Sequence, residues 1–259
     1  MTITPTAADT EADASPPLEN GGEQETERLP VHRLVSRATG RYIARIQPQY
    51  LADRPSAVSE LARLRRGAGK RAHEVEDLWG IEAMDDLAVL LEGRGQSSRV
   101  EDAEEAVFLA CTLWALHQQS GRDQGMHQRN QNLGGAVRAL IRAQGTAGED
   151  EEGSPLRKRL VRVGTAESLD SVAVRLREIV LLLRGAKVPL DYARLAGQLY
   201  RWQHRPDRAG VQREWGREFH LAAATAGKKG RPAASGTDGE AIDRTLAADE
   251  EYGGYAAGE

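Results

Sequence analysis

Arginine is the residue type most able to do chemistry in this chain. It recurs in four groups: Arg65, Arg66, Lys70 and Arg71; Arg138 and Arg142; Arg157, Lys158, Arg159 and Arg162; and Arg175, Arg177 and Arg184. A guanidinium stays protonated and presents a planar fork that matches two oxygens of a phosphate, so repeated arginines favour the sugar–phosphate chain of a nucleic acid. Arg138 and Arg142 stand four residues apart and share a helical face. Arg177 and Arg184 flank one apolar stripe two turns apart, roughly 10 Å. The competing reading is a set of unrelated solubilising residues. It describes any single arginine well and the convergence of several poorly.

Catalytic chemistry finds much less support. His32, His73, His117, His127, His204 and His220 are scattered, with no H-E-x-x-H pairing. His117 and His127 bracket one loop, but no thiol or carboxylate cluster joins them, so no metal site is expected. The neighbouring acids Asp85-Asp86 and Glu104-Glu105 diverge by about 100° around a helix and suit solvated faces better than an acid–base pair. No Gly-x-Ser-x-Gly elbow and no Walker A loop occurs, and Gly93-Arg94-Gly95 is a turn rather than half of a dinucleotide fingerprint. No catalytic centre and no cofactor is expected.

The net charge of −4 hides a strong asymmetry. Residues 1–28 hold seven acids against the single base Arg28, and Glu149-Asp150-Glu151-Glu152 adds four more acids. From Pro155 to His220 there are fourteen Arg or Lys against seven Asp or Glu. Fields act within a Debye length, so a basic face on an acidic chain attracts an anionic partner whatever the sum. A basic stretch near the C-terminus, Gly227-Lys228-Lys229-Gly230-Arg231-Pro232, has the composition of a minor-groove arm, though a plain basic patch explains it as well. The lone Cys111 lies in an apolar run and reads as a buried hydrophobe. No signal peptide and no uninterrupted apolar stretch of membrane length is apparent, so the expectation is a soluble, cytoplasmic chain.

The elements that must position these side chains read as helices throughout. Val31, Leu34, Val35, Ala38, Tyr42 and Ile46 line one helical face that Pro48 is expected to end. Asp53 or Ser56 can cap the next helix, which turns Val58, Leu61 and Leu64 inward and stops at Gly67 or Gly69. A short helix follows over 81–91. Ser98 and Glu101 match a capping box at the start of the next, and its residues Val107 to Leu116 are apolar on most sides, as befits the centre of a bundle. After a polar loop, Asn132 opens a helix carrying Val137, Leu140 and Ile141. Ser154-Pro155 starts another, and Leu169, Val172, Leu176, Ile179, Val180 and Leu183 stripe the one that follows. Pro189 and Pro206 are expected at first helical positions, opening two arginine-rich helices anchored by Trp202, Trp215 and Phe219. Trp79, Trp114, Trp202 and Trp215 repeat at helical spacing with Leu and Val and belong in the core rather than stacked on bases. Sustained alternation and hairpin signals are missing, so strands are not expected.

The resulting organisation is all-α: a two-lobed helical bundle with disordered tails. Residues 1–29 form an acidic tail, 30–144 an N-terminal lobe, 145–153 an acidic, glycine-rich linker, 154–221 a C-terminal lobe and 222–259 a second tail. Neither tail has the apolar periodicity needed to offset its ordering entropy.

Five segments in this order resemble the small subunit of the type I-E CRISPR Cascade complex, the CasB family. They are SELARLRRGAGK (59–70), EEAVFLACTLWALHQQ (104–119), NLGGAVRALIR (132–142), PLRKRLVRVGTAESLDSVAVRLREIVLLLRG (155–185) and PLDYARLAGQLYRWQHRPDRAGVQREWGREF (189–219). The resemblance implies a two-lobed α-helical subunit that catalyses nothing and forms a homodimer within the complex. Its implied partners are the backbone and large Cascade subunits, the guide RNA and the target DNA, including the displaced strand. Arg65-Arg66, Arg138, Arg142 and Arg177 match phosphate-contacting positions, whereas Gly135 stands where a larger or basic residue is expected. A stand-alone helical regulator that binds duplex DNA is the alternative. It would need a recognition helix with base-reading side chains at its N-terminus, and none is evident. A scaffold whose arginines meet acidic proteins is a third reading.

Overall fold

The structure, a computed structural model, describes residues 29–75, 81–92, 99–144 and 153–229, the side chains of 222–229 excepted. Nine α-helices make up most of the described residues: α1 (Val31–Leu51), α2 (Pro55–Arg66), α3 (Glu82–Leu91), α4 (Val100–Gln118), α5 (Leu133–Ala143), α6 (Pro155–Gly164), α7 (Leu169–Gly185), α8 (Tyr192–Gln203) and α9 (Arg205–Lys229). A 3₁₀ turn covers Ala72–Glu74. Among the described residues the one β-type pairing is an isolated parallel bridge between His127 and Leu190.

α4 is the axis of the bundle. Every residue from Ala106 to Gln118 is buried, because α1, α2, α3, α7 and α8 all pack around it. A helix apolar on all sides has no face left for water and can only sit inside. Leu34, Tyr42 and Ile43 of α1, Leu61 and Leu64 of α2, Leu176 and Val180 of α7 and Leu199 of α8 complete the packing. The two helical groups share this one hydrophobic core: α8 lies on α1 and α4, and α9 lies on α5. Trp114, Trp202 and Trp215 are at most 2 % exposed, as their helical spacing predicts. Trp114 stacks edge-on with Tyr42 at 6.4 Å, and Trp215 Nε1 donates to Gln198 Oε1 at 2.9 Å. Trp79 and Ser98 lie outside the described residues, as do residues 1–28 and 230–259.

Several helix boundaries differ from the sequence expectation, each for a tertiary reason. α1 runs through Pro48 to Leu51. Tyr50, 3 % exposed, holds the extra turn: its carbonyl accepts from Arg122 Nη1 at 2.8 Å, and the same guanidinium lies 4.2 Å from the centre of its ring. α2 starts on Pro55 after an extended Arg54, so neither Asp53 nor Ser56 caps it. Asp53 instead adopts φ 56° and pairs with Arg122. Pro189 does not open α8. Leu190 is held extended by its N–H to Met126 O at 3.0 Å, and the cap is Asp191, whose Oδ1 accepts from Arg194 N at 3.0 Å. Pro206 occupies the second rather than the first position of α9, which continues past residue 221 to Lys229. Asn132 caps α5 as expected, accepting from Gly135 N at 2.8 Å.

Two glycines set how closely helices approach. A Cβ on Gly134 would lie 2.5 Å from Trp215 O and 2.8 Å from the Glu218 carbonyl carbon, so α5 and α9 touch backbone to backbone. A Cβ on Gly197 would lie 2.8 Å from His32 O, which brings α8 equally close to α1.

Candidate nucleic-acid interface

The first arginine group and part of the last meet where the loop after α2 lies against α7. Arg65 and Arg66 close α2, and Gly69 at φ 92° turns the following loop. That loop carries the exposed Lys70 and the half-buried Arg71 onto the flank of α7. Arg71 grips Asp170 with two parallel bonds, Nε to Oδ1 at 2.8 Å and Nη2 to Oδ2 at 2.9 Å, and this bond raises its pKa further. Arg177 Nη1 lies 3.4 Å from where a Cβ on Gly69 would be, which places its guanidinium over the same loop. Residues about a hundred positions apart in sequence thus form one basic surface. Asp170, Glu74 and Glu105 temper it: Glu74 accepts from Arg71 N at 2.9 Å and Glu105 from Ala72 N at 3.1 Å. Burial raises the Glu105 pKa, partly offset by the Ala72 N–H and the charges of Arg71 and His73.

The α5–α6–α7 side carries the second and third groups. Arg142, Lys158 and Arg162 are exposed, while Arg157 and Arg159 are half-buried. Arg175 donates to the Arg162 carbonyl, tying α7 to the end of α6. Arg138 departs from expectation. It is 8 % exposed and lies 5.5 Å from the centre of the Phe219 ring, so it packs α5 onto α9 and offers no open guanidinium. Position 138 follows the buried Ala136 and Val137, and α9 covers the face that would otherwise meet solvent.

Arg184 is also drawn inward. Its Nη1 donates to the Gln119 side-chain Oε1 at 3.0 Å and to Leu116 O at 3.4 Å, so it meets one backbone carbonyl in the last turn of α4. Although Arg177 and Arg184 share a flank of α7, the first faces the Gly69 loop and the second the end of α4. Beside Arg184 is a cleft of about 310 Å³ lined by His117, Asp123 and Lys187, the last two paired at 2.8 Å. His117 and His127 do approach each other indirectly, through Tyr192: its hydroxyl is 2.8 Å from His117 Nδ1, and its N–H donates to His127 Nδ1 at 3.1 Å. Burial lowers the His117 pKa to about 4 and depresses that of His127 as well. Among the described residues no group of three His, Cys, Asp or Glu is placed to hold a metal ion, and no helix is long and apolar enough to cross a membrane.

A further arginine-lined cleft, of about 690 Å³, opens between α1 and α8 around Arg33, Arg37, Arg129, Arg194 and Arg201. Sequence reasoning did not assemble it. Its one visible signal is the i, i+4 pair Arg33 and Arg37, on a helix whose apolar stripe drew the reading inward.

The model of the CRISPR-associated protein Cse2 family matches residues 60–220. The chain is similar to CasB from Thermobifida fusca, at 43 % identity over 72 % of this chain and 98 % of that one, with a TM-score of 0.62. It is similar to a chain of a CRISPR RNA-guided surveillance complex at 25 % identity over 76 % of this chain and 99 % of that one, with a TM-score of 0.55. CasB of M. ruber, at 20 % identity over 76 % of this chain and 98 % of that one, shares the fold with a TM-score of 0.53. No curated protein matches. The matched span begins at Glu60 within α2 and ends at His220 within α9, so it takes in the α2–α7 basic surface and the whole of the central helix. The chain belongs to the CRISPR-associated protein Cse2 family.

Proposed function

We propose that this chain is the non-catalytic small subunit of a type I-E CRISPR RNA-guided surveillance complex, acting in the cytoplasm. It supports the guide RNA–target DNA duplex and the displaced strand through its basic helix faces. It binds the backbone and large subunits and a second copy of itself. The observation that carries the reading is the loop after α2, which brings Lys70 and Arg71 onto the flank of α7 that carries Arg177, next in sequence to Arg65 and Arg66 at the end of α2. Forming an R-loop exchanges a DNA duplex for a heteroduplex of similar stability, so sequence-blind contacts to the sugar–phosphate chain can tip the balance and leave specificity to base pairing. Cations on a rigid scaffold suffice for that task, and no base-reading groups are required.

The test is Lys70→Glu with Arg177→Glu in a reconstituted complex. Weaker target-DNA binding is expected, with the slope of log K against log salt falling by about 0.7–0.9 for each lost phosphate contact. Helical content and melting temperature should stay at the parent values, since both side chains are exposed. Unchanged target affinity across a salt series would overturn the proposal.

A further inference from the structure

The cleft between α1 and α8, at about 690 Å³, is larger than the one beside Arg184, and the proposed function does not use it. Five arginines line it against two carboxylates, Asp191 and Glu214. Both acids are already committed. Asp191 accepts from Arg194 N and from Asn130 N, each at 3.0 Å, and Glu214 bridges Arg194 at 2.8 Å and Arg201 at 3.0 Å. Arg194 is further engaged by the buried Glu218, 5 % exposed, through its Nε at 2.8 Å. Arg33 and Arg129 stand exposed at the rim. The local field is therefore positive. Burial lowers the His32 pKa there, and the charges of Arg201 and Arg33 lower it further, against a smaller opposing pull from Asp207 and Glu214.

The occupant is indicated by where the chain enters. Leu29 itself lines the cleft, so the segment that precedes it arrives at the rim. That segment carries Asp9, Glu11, Asp13, Glu19, Glu23, Glu25 and Glu27 against one base. We propose that this cationic cleft is the seat of the chain's own acidic N-terminal segment, residues 1–28, whose carboxylates face Arg33, Arg37 and Arg129. Twenty-eight residues span up to about 90–100 Å when extended, whereas α1 is only about 30 Å long, so reach is ample. A covalent tether of this kind gives an effective concentration on the order of millimolar, which lets modest ion pairs outcompete an untethered anion. The seated acids screen the cleft from nucleic acid and leave the α2–α7 surface as the preferred phosphate contact. The occupancy does not depend on the surveillance-complex reading, because the test uses the isolated full chain.

In the full chain carrying Arg129→Lys, a zero-length carbodiimide joins the introduced amine to any carboxylate it touches. Mass spectrometry is expected to find position 129 linked to Glu11, Asp13, Glu19 or Glu23. At about 1 M salt, where the Debye length shrinks to about 3 Å, the links should disappear. Linkage only to carboxylates of the helical body, or no linkage, overturns the proposal. A second measurement is made without the lysine. Replacing the seven N-terminal acids by their amides should strengthen binding of a single-stranded oligonucleotide several-fold, and adding Arg33→Glu with Arg129→Glu should abolish that gain. An oligonucleotide affinity indifferent to the seven replacements, or one already strong and seated at position 129 in the parent chain, overturns it in favour of nucleic acid as the natural occupant.

Discussion

Gly134 and Gly216 lie on the two helices of one interface, and the same substitution should move stability in opposite directions. An alanine Cβ at 134 would sit 2.5 Å from Trp215 O and 2.8 Å from the Glu218 carbonyl carbon, and nearer still to Phe219 N. These are backbone atoms, so no side-chain rotation can relieve the contact. α5 would have to leave α9, stretching the 3.4 Å bond from Gly134 N to Glu218 Oε2 and opening the seat of Arg138 on Phe219. Overpacking of this kind costs about 1–3 kcal/mol. A rigid obstacle argues for the upper end, and the gain in helix propensity, less than about 1 kcal/mol at the second position of α5, offsets part of it. Gly134→Ala should therefore lose about 2 kcal/mol, a fall in Tm of about 4–8 °C for a folded body of this size. At Gly216, inside α9, a Cβ would meet nothing within 4 Å. Gly216→Ala should gain about 0.4–1 kcal/mol by restricting the unfolded chain, a rise of roughly 1–4 °C. Thermal unfolding followed by circular dichroism on the two variants decides the matter. Shifts of the same sign, or a Gly134→Ala chain as stable as the parent, would refute the backbone-to-backbone account of the α5–α9 contact.

Two further outcomes follow from the buried polar groups and the core. His117 has its pKa depressed from 6.5 to about 4, chiefly by burial, so the unfolded chain takes up its proton first and stability falls as pH drops from about 6.5 towards 4, by at most about 3 kcal/mol. Glu104, Glu105 and Glu218, all raised by burial, act with the opposite sign, so the check is the stability of the parent minus that of His117→Gln in denaturant unfolding across that window, a difference that should fall as the pH drops from about 6.5 towards 4 and that a pH-independent value would refute. Trp215→Ala should destabilise the protein by about 3–5 kcal/mol, since its ring is 2 % exposed and its N–H holds Gln198. A thermal melt matching the parent would remove Trp215 from the core.

What the sequence revealed was whatever one helix decides for itself. The all-round apolarity of 107–116 announced a central helix, and the stripe from Leu169 to Leu183 announced a face against it. Both hold because burial on a helix is written in its own periodicity. What the sequence hid was decided by partners. Pro48 marks a break only until Tyr50 is anchored by Arg122, and Pro189 marks a start only until Asp191 takes the cap. Arg138 and Arg142 share a helical face, yet α9 covers the first and leaves the second in solvent. The α1–α8 cleft was invisible for the same reason: its walls are contributed by Arg33 and Arg194, which no local pattern connects.

The arginines of this chain divide by what carboxylates and carbonyl groups lie within reach, and the division follows the packing. Arg71, Arg175, Arg184, Arg194 and Arg201 each bind a group on another helix or loop and fix the position of an element. Solvent-facing ion pairs such as Arg71–Asp170 add little stability on their own, about 0–1 kcal/mol, so their value here is geometric. The Arg71–Asp170 fork pins the loop that displays Lys70 beside Arg177. Without it, Lys70 would sample many positions, and each phosphate contact would have to offset the entropy of ordering the loop. A cationic surface that meets an irregular, displaced strand gains from being ordered in advance, because the strand already carries most of the conformational entropy to be lost. Under the proposed function, tying some arginines internally is what would free the others to act as phosphate contacts.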